Sequence, residues 1–208
     1  MRRLFPIPLV VLLLTACGGG GSSPSASSSG PPSSQPSQSA APSTSGAPPA
    51  SVSEAPIPSE DLGEFSCEYP IVEDATVARA NITDVRVGEH ADYDRVVFEF
   101  EQGLPEITLD RASPPFTQDA SGMPINVDGT SFLRLTMRGG TKQTESGTSS
   151  YDGPTNFDPA MSTLVDLVEG GDFEGQSTWY LGLSTDACAR VIRLEDDNGN
   201  RLVIDLQH

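Results

Sequence analysis

Alternating apolar and polar positions dominate the second half of the chain. In residues 95–100, Val96, Phe98 and Phe100 fall on one side of an extended backbone. This period of two is typical of a strand with one face in a core. Similar runs occur at residues 82–87, 106–111, 132–138, 178–183, 190–194 and 201–206.

Turn residues separate these runs. Residues 196–200 read Asp-Asp-Asn-Gly-Asn, and Asn-Gly is a strong hairpin signal. The same oxygens would suit a calcium ion, but the spaced ligands of an EF-hand are missing, so we expect a plain turn. Only residues 161–169 fit a helical stripe, and they fit a buried strand equally well. The pattern predicts an all-β fold, as a β-sandwich or a small barrel.

The N-terminus has the order of a signal peptide. Arg2 and Arg3 precede an apolar run over residues 4–14, which is too short for a membrane-spanning helix of roughly 20 residues. The run ends in Leu-Thr-Ala followed by Cys17 and four glycines, which resembles the lipobox of bacterial lipoproteins. We therefore expect residues 1–16 to be removed and Cys17 to carry the lipid, in preference to an ordinary secretory cleavage.

A low-complexity segment follows. From Gly18 to about Pro58 the chain is nearly all Ser, Pro, Gly and Ala, a composition that cannot offset the entropy of ordering. About 40 such residues span roughly 35 Å when flexible. We expect residues 17–64 to be a disordered tether and residues 65–208 to be one domain.

Cysteine number and charge indicate the compartment and limit the partners. Beyond Cys17 the chain has only Cys67 and Cys188, which outside the cell most simply form one disulfide, the alternative being two buried thiols. The net charge of −17 disfavours nucleic acid and anionic lipid headgroups as partners. We expect an extracytoplasmic protein, held to the cell membrane by its lipid, with neutral, cationic or glycan partners.

Several segments together resemble a known family. Residues 82–90 and 93–100, Tyr-Asp-Gly-Pro at 151–154, residues 171–179 and the closing run 201–206 are similar, in this order, to the AMIN-like domain of lipoproteins from high-GC Gram-positive bacteria. The resemblance implies a β-sandwich related to the AMIN modules of cell-wall amidases and pilus secretins. Those modules place their host proteins at the peptidoglycan.

Residues suited to catalysis are sparse. The two histidines are His90, in a loop-like stretch, and His208, the last residue, and no nucleophile elbow, phosphate loop or HExxH motif is present. A glycosidase-like carboxylate pair can be drawn from any chain with 29 acids, so it gives no signal. Trp179 shares a strand face with two leucines and is expected in the core. We expect no enzyme, cofactor or metal.

Three residues are candidates for binding. Tyr93 and Tyr151 lie beside turns and are expected on the surface, and Arg95 could face outward beside them. A cluster of the three would suit a glycan or a peptide stem, because aromatic rings pack on the apolar faces of sugars. The alternative is that Asp94 and Arg95 form a solvated ion pair at the start of a strand.

Three functions remain open at this level. The first is a non-catalytic envelope module that binds peptidoglycan, another glycan or a wall-associated protein. The second is a scaffold lipoprotein that contacts a membrane or secreted protein through an exposed strand edge. The third and weakest is a wall hydrolase.

Overall fold

The computed structural model describes residues 62–208, and this region is all-β, as predicted. The chain divides into two units, Met1–Ser51 and Val52–His208, and the described residues belong to the second. They contain no helix long and apolar enough to span a membrane. The strands are β1 (Ile71–Glu73), β2 (Ala80–Glu89), β3 (Tyr93–Phe100), β4 (Glu106–Ala112), β5 (Phe116–Thr117), β6 (Pro124–Ile125), β7 (Ser131–Arg138), β8 (Gly140–Thr141), β9 (Asn156–Phe157), β10 (Leu164–Phe173), β11 (Gln176–Leu183), β12 (Ala189–Asp196) and β13 (Gly199–Gln207).

Two sheets pack as a sandwich. The first is six-stranded in the order β1-β4-β7-β11-β10-β9, and the second is five-stranded in the order β12-β13-β3-β2-β8. Nearly all pairings are antiparallel, with β2 and β8 parallel. A small β5–β6 hairpin completes the described fold. The expectation of a β-sandwich is therefore confirmed.

The alternating positions fill the space between the sheets. Val96, Phe98 and Phe100 of β3 are at most 4% exposed. Trp179 of β11 is fully buried with its ring edge-on to Phe98, 5.3 Å between centroids. The prediction that Trp179 packs in the core is confirmed.

The structure decides the two segments whose conformation the sequence left open, residues 161–169 and the turn at residues 196–200. Residues 164–169 lie in β10 rather than in a helix, because that strand pairs with both β9 and β11. The Asn-Gly turn joins β12 to β13, with Asp196 opposite Gly199. In that turn Asp196 accepts a hydrogen bond from the Asn198 N–H at 2.7 Å, which is ordinary turn chemistry.

A disulfide fastens the start of the domain. Cys67 and Cys188 are bonded across 121 positions of sequence, so the alternative of two free thiols is wrong. Next to them, Ser66 and Ala189 exchange two backbone hydrogen bonds of 2.8 and 2.9 Å. The segment before β1 is thereby attached to the edge strand β12. The expected signal peptide, Cys17 and most of the predicted tether lie outside the described residues.

Candidate functional site

A buried charge cluster lies on the outer face of the five-stranded sheet. Arg190, Asp205 and Arg95 are directly opposite one another on β12, β13 and β3. Directly opposed residues point to the same face, so the Asp205 carboxylate lies between two guanidinium groups. Asp205 accepts hydrogen bonds from Arg95 Nε and Nη2 at 2.7 and 3.0 Å. It also accepts bonds from Arg190 Nε and Nη2 at 2.9 and 2.6 Å.

Aromatic rings surround these arginines. The Arg190 guanidinium carbon lies 4.5 Å from the Phe65 ring centroid and 5.2 Å from that of Tyr93. The Arg95 guanidinium carbon lies 5.0 Å from the Tyr93 centroid. His90 stacks on Tyr93 with 4.5 Å between centroids and 23° between planes. We call Phe65, Tyr93, Arg95, Arg190 and Asp205 the arginine–aromatic cluster, with His90 at its margin.

Space is available on two sides of the cluster. Gly88 lies opposite Arg95 on β2, and a Cβ built there meets nothing within 4 Å. A cleft of about 370 Å³ lies on the other side, at the free edge of β12, and Arg190 is part of its wall. Ile71 of β1 and Val191 of β12 contribute apolar surface to the same cleft. Arg190, whose side chain is mostly buried, is the residue common to the cluster and the cleft.

Asp94 belongs to a separate network on the inner face. It is fully buried, and its Oδ2 accepts hydrogen bonds from the Thr163 and Leu164 N–H groups at 2.6 and 2.7 Å. Its Oδ1 lies 3.0 Å from His208 Nε2. The alternative of a solvated Asp94–Arg95 ion pair is therefore wrong, since neighbouring strand residues point to opposite faces and each of these two has other partners.

The structure separates the three predicted binding residues. Tyr93 and Arg95 are in contact within the cluster, but Arg95 is only 4% exposed. Tyr151 is 7% exposed and belongs to the core, and its hydroxyl donates to the Pro154 carbonyl at 2.7 Å. The expectation that all three lie on the surface is wrong for Arg95 and Tyr151. Arg95 is buried because a carboxylate on the adjacent strand pairs with it.

Tyr151 lies among acidic groups near the β10 edge. Burial raises the pKa of Tyr151 to about 12, and the charges of Asp84 and Glu169 act in the same direction. Burial also raises the pKa of Glu169, while the ammonium of Lys142, 2.6 Å away, opposes that shift. Tyr151 packs in the core and Glu169 pairs with Lys142, so these two residues contribute to the stability of the fold.

Sequence reasoning missed Phe65, Arg190 and Asp205. Phe65 precedes the first strand and has no pattern of its own. Arg190 and Asp205 lie in strands that the alternation predicted. They occupy outward-facing positions, which the pattern of one strand alone assigns to solvent. The available signal is a basic residue and an acidic residue on either side of the turn, because the hairpin register centred on residues 197 and 198 makes them opposite.

The arrangement is suited to binding. It offers aromatic ring faces, guanidinium donors and an adjoining cleft, all on rigid strands. No three His, Cys, Asp or Glu side chains within residues 62–208 are grouped so that they could hold a metal ion.

The described residues form a β-sandwich whose five-stranded sheet carries a polar and aromatic cluster on its outer face. Residues 80–208 match the family model of the AMIN-like domain, and the chain belongs to that family. AMIN-like domains are non-catalytic binding modules of the extracytoplasmic cell envelope. Neither the curated proteins nor the solved structures include a match to this chain. The resemblance to the AMIN-like domain inferred from the sequence is confirmed, and Phe65 and Cys67 lie before the matched region.

Proposed function

We propose that this protein is a lipid-anchored, non-catalytic envelope lipoprotein whose domain binds peptidoglycan. Residues 1–16 are removed, Cys17 carries a diacylglyceryl group on sulfur, and a tether presents the domain of residues 65–208 to the wall. The family match over residues 80–208 supports the binding part of this proposal, because AMIN-like domains are cell-wall-associated binding modules.

The chemistry of the arginine–aromatic cluster supports a wall ligand. Tyr93 and His90 form a stacked pair with partly exposed rings, and such rings pack on the apolar faces of sugars. Peptide stems carry carboxylates, which guanidinium groups bind well. Arg190 keeps 12% of its side chain exposed beside the cleft, so it is the cation we assign to that contact.

Sedimentation with purified peptidoglycan tests this site. The full mature chain is expected to pellet with the wall, and Tyr93→Ala to lower the pelleted fraction at least about threefold, as expected for losing an interaction of about 1 kcal/mol. Phe173→Ala is the matched control, since Phe173 is 52% exposed but lies on β10 of the other sheet. A mature chain that stays in the supernatant at every salt concentration contradicts the proposal. Equal loss in both variants contradicts the assigned site.

Mass spectrometry of the native protein tests the anchor. The N-terminal residue of the mature chain is expected to be Cys17 with a thioether-linked lipid. Two or three acyl chains give stable attachment, at about 0.8 kcal/mol for each buried CH₂. A Cys17→Ser variant is therefore expected to leave the membrane fraction. An unmodified thiol at this position contradicts the anchor.

A second candidate function rests on the edge of β12. Within residues 62–208, Ser66 pairs with Ala189 only at the start of this strand. Val191, Arg193 and Glu195 direct their backbone groups to the same edge, where no described strand is paired with them. Such an edge is a template for strand addition by a partner protein. A photo-crosslinker at Glu195 in native envelopes is expected to give one dominant protein adduct if this function holds. The same probe at Glu145, exposed in the loop after β8, is the control.

A further inference from the structure

The cleft at the edge of β12 combines charges of both signs. Among the described residues that line it, Glu64, Glu68 and Glu73 are acidic and Arg190 is basic. Glu73 is paired, because its Oε2 lies 3.5 Å from Arg193 Nη1. Glu64 and Glu68 are exposed, and within residues 62–208 neither carboxylate is in an ion pair. The cleft therefore brings two unpaired carboxylates together with a guanidinium group.

Glu68 lies on a segment that is fixed on both sides. Before it, Cys67 forms the disulfide, and the Ser66 hydroxyl accepts a hydrogen bond from the Glu68 N–H at 3.1 Å. After it, the Tyr69 hydroxyl donates to the Ala187 carbonyl at 3.0 Å. A carboxylate on a fixed backbone loses little freedom when it binds a ligand. Glu68 is therefore the better placed of the two unpaired carboxylates.

The apolar part of the cleft joins the two sheets. Ile71 of β1 and Val191 of β12 line it, and both are partly buried against the main core. β1 and β12 are the terminal strands of their sheets, so a ligand here contacts both. An alkyl chain packs on such a surface while its charged end stays in water beside a carboxylate.

Arg190 has donor capacity to spare for a ligand. Its Nε and Nη2 donate to Asp205 at 2.9 and 2.6 Å. Its Nη1 carries two hydrogens and donates one long bond, of 3.4 Å, to the Gly63 carbonyl. Guanidinium groups form their strong hydrogen bonds with carboxylates and phosphates. The cleft thus suits a ligand that has an alkylammonium group and a carboxylate close together.

We propose that this cleft binds the free side-chain amine of a peptidoglycan stem, with the ammonium at Glu68 and a stem carboxylate at Arg190. The inference rests on the proposed function and deepens it by naming the part of the wall that is bound. The cleft volume of about 370 Å³ lies near the lower end of the range for ligand pockets, about 300–1,000 Å³, and suits a short peptide segment. A lysine within a protein partner also carries an ammonium, but its own carboxyl group is part of an amide and leaves Arg190 without an anion.

The charge of the amine then determines which stems are bound. Cross-linking converts the amine of the diamino acid into an uncharged amide and attaches a second peptide to it. Both changes remove the match to Glu68. The domain therefore binds uncross-linked stems more tightly than cross-linked ones.

Sedimentation with untreated and amine-acetylated peptidoglycan tests the cleft. The quantity measured is the amount of wall that pellets half of the full mature chain. Acetylation removes the charge of the amines, so wild type is expected to need about fivefold more wall, which corresponds to about 1 kcal/mol. Glu68→Gln is expected to need equal amounts of both walls, close to the amount that wild type needs of the acetylated wall. Glu145→Gln removes the same charge from an exposed loop and is expected to behave as wild type.

Competition identifies the source of the amine. A soluble stem tetrapeptide with a free lysine amine is expected to displace the chain from untreated wall, and the same peptide with an acetylated amine to need about fivefold more. Displacement by glucosamine but not by the tetrapeptide assigns the amine to the glycan and overturns the inference. A dominant protein adduct from a photo-crosslinker at Glu68 in native envelopes assigns the cleft to a protein and also overturns it.

The failure of this inference differs from the failure of the proposed function. Equal pelleting of wild type on both walls, with the loss in Tyr93→Ala retained, overturns the inference and leaves the proposed function standing. A fivefold difference that Glu68→Gln retains is general charge attraction and has the same meaning. Absence of pelleting on either wall overturns the proposed function, and the inference with it.

Discussion

Asp205 accepts hydrogen bonds from two buried guanidinium groups, and Asp205→Asn is expected to destabilise the domain strongly. The carboxylate is 0% exposed, with Arg95 and Arg190 side chains 5% and 12% exposed. Asparagine keeps the shape but removes the charge and two of the acceptor sites. Breaking a buried pair by removing one partner costs about 3–5 kcal/mol, because the remaining charge stays desolvated.

Asp110→Asn is the matched control. Asp110 also pairs with an arginine through two hydrogen bonds, from Arg134 Nε at 3.2 Å and Nη2 at 2.7 Å. That pair lies on the other sheet, with the side chains 26% and 45% exposed. An exposed pair contributes at most about 1 kcal/mol to the free energy of unfolding. The two substitutions are chemically identical and differ in burial.

Urea unfolding followed by the fluorescence of Trp179 measures both variants. Trp179 is the only tryptophan and is fully buried, so its emission reports the core. With a slope of about 2 kcal/mol/M, Asp205→Asn should lower the midpoint by about 2 M and Asp110→Asn by less than about 0.5 M. Equal shifts in the two variants would refute the reasoning that burial of the ion cluster determines its contribution.

Three further predictions concern the described domain. Replacing Cys67 and Cys188 by serine opens a loop of 121 positions and is expected to lower the free energy of unfolding by up to about 5 kcal/mol in the chain-entropy model, measured by urea unfolding. Burial raises the pKa of Tyr151 to about 12, so its contribution to the free energy of unfolding is complete below pH 10 and is lost as the pH rises through 12. The difference in absorbance at 295 nm between wild type and Tyr151→Phe is therefore expected to titrate near pH 12. A midpoint at pH 10 contradicts this prediction. Burial raises the pKa of Glu169 above its usual 4.5, so its stability contribution is present below pH 4.5 and is lost as pH rises through the folded-state pKa. The free energy of unfolding of wild type relative to Glu169→Gln is therefore expected to increase as the pH falls from 7 towards 4.5, and a constant difference contradicts it.

The segment before β1 connects several of these features. Ser66 pairs with β12, Cys67 is bonded to Cys188, and Phe65 packs against Arg190. In each contact the upstream residue lies outside the region matched by the family model, which begins at residue 80, and its partner lies inside it. The domain of this chain therefore uses residues upstream of the family match to complete its sheet edge and its candidate site.

The sequence alone determined the fold class and most strands. Alternation is a local property that depends only on the period of an extended backbone, so residues 95–100 and 201–206 could be assigned without knowing their partners. The Asn-Gly dipeptide indicated one hairpin for the same reason, whereas its register, with Asp196 opposite Gly199, came from the structure. With two cysteines in the predicted domain, the disulfide followed from counting.

Only the tertiary structure decided which outward residues are buried. Arg95 and Asp205 are 110 positions apart and become neighbours because β13 pairs with β3, a pairing that no local pattern specifies. Tyr151 follows a turn and yet packs in the core, in a loop whose Ser150 hydroxyl donates a hydrogen bond to the Ile82 carbonyl of β2. Residues 164–169 were ambiguous until β9 and β11 paired on either side of them. Local sequence sets the period of each strand, whereas burial and charge pairing depend on contacts between strands that are distant in the chain.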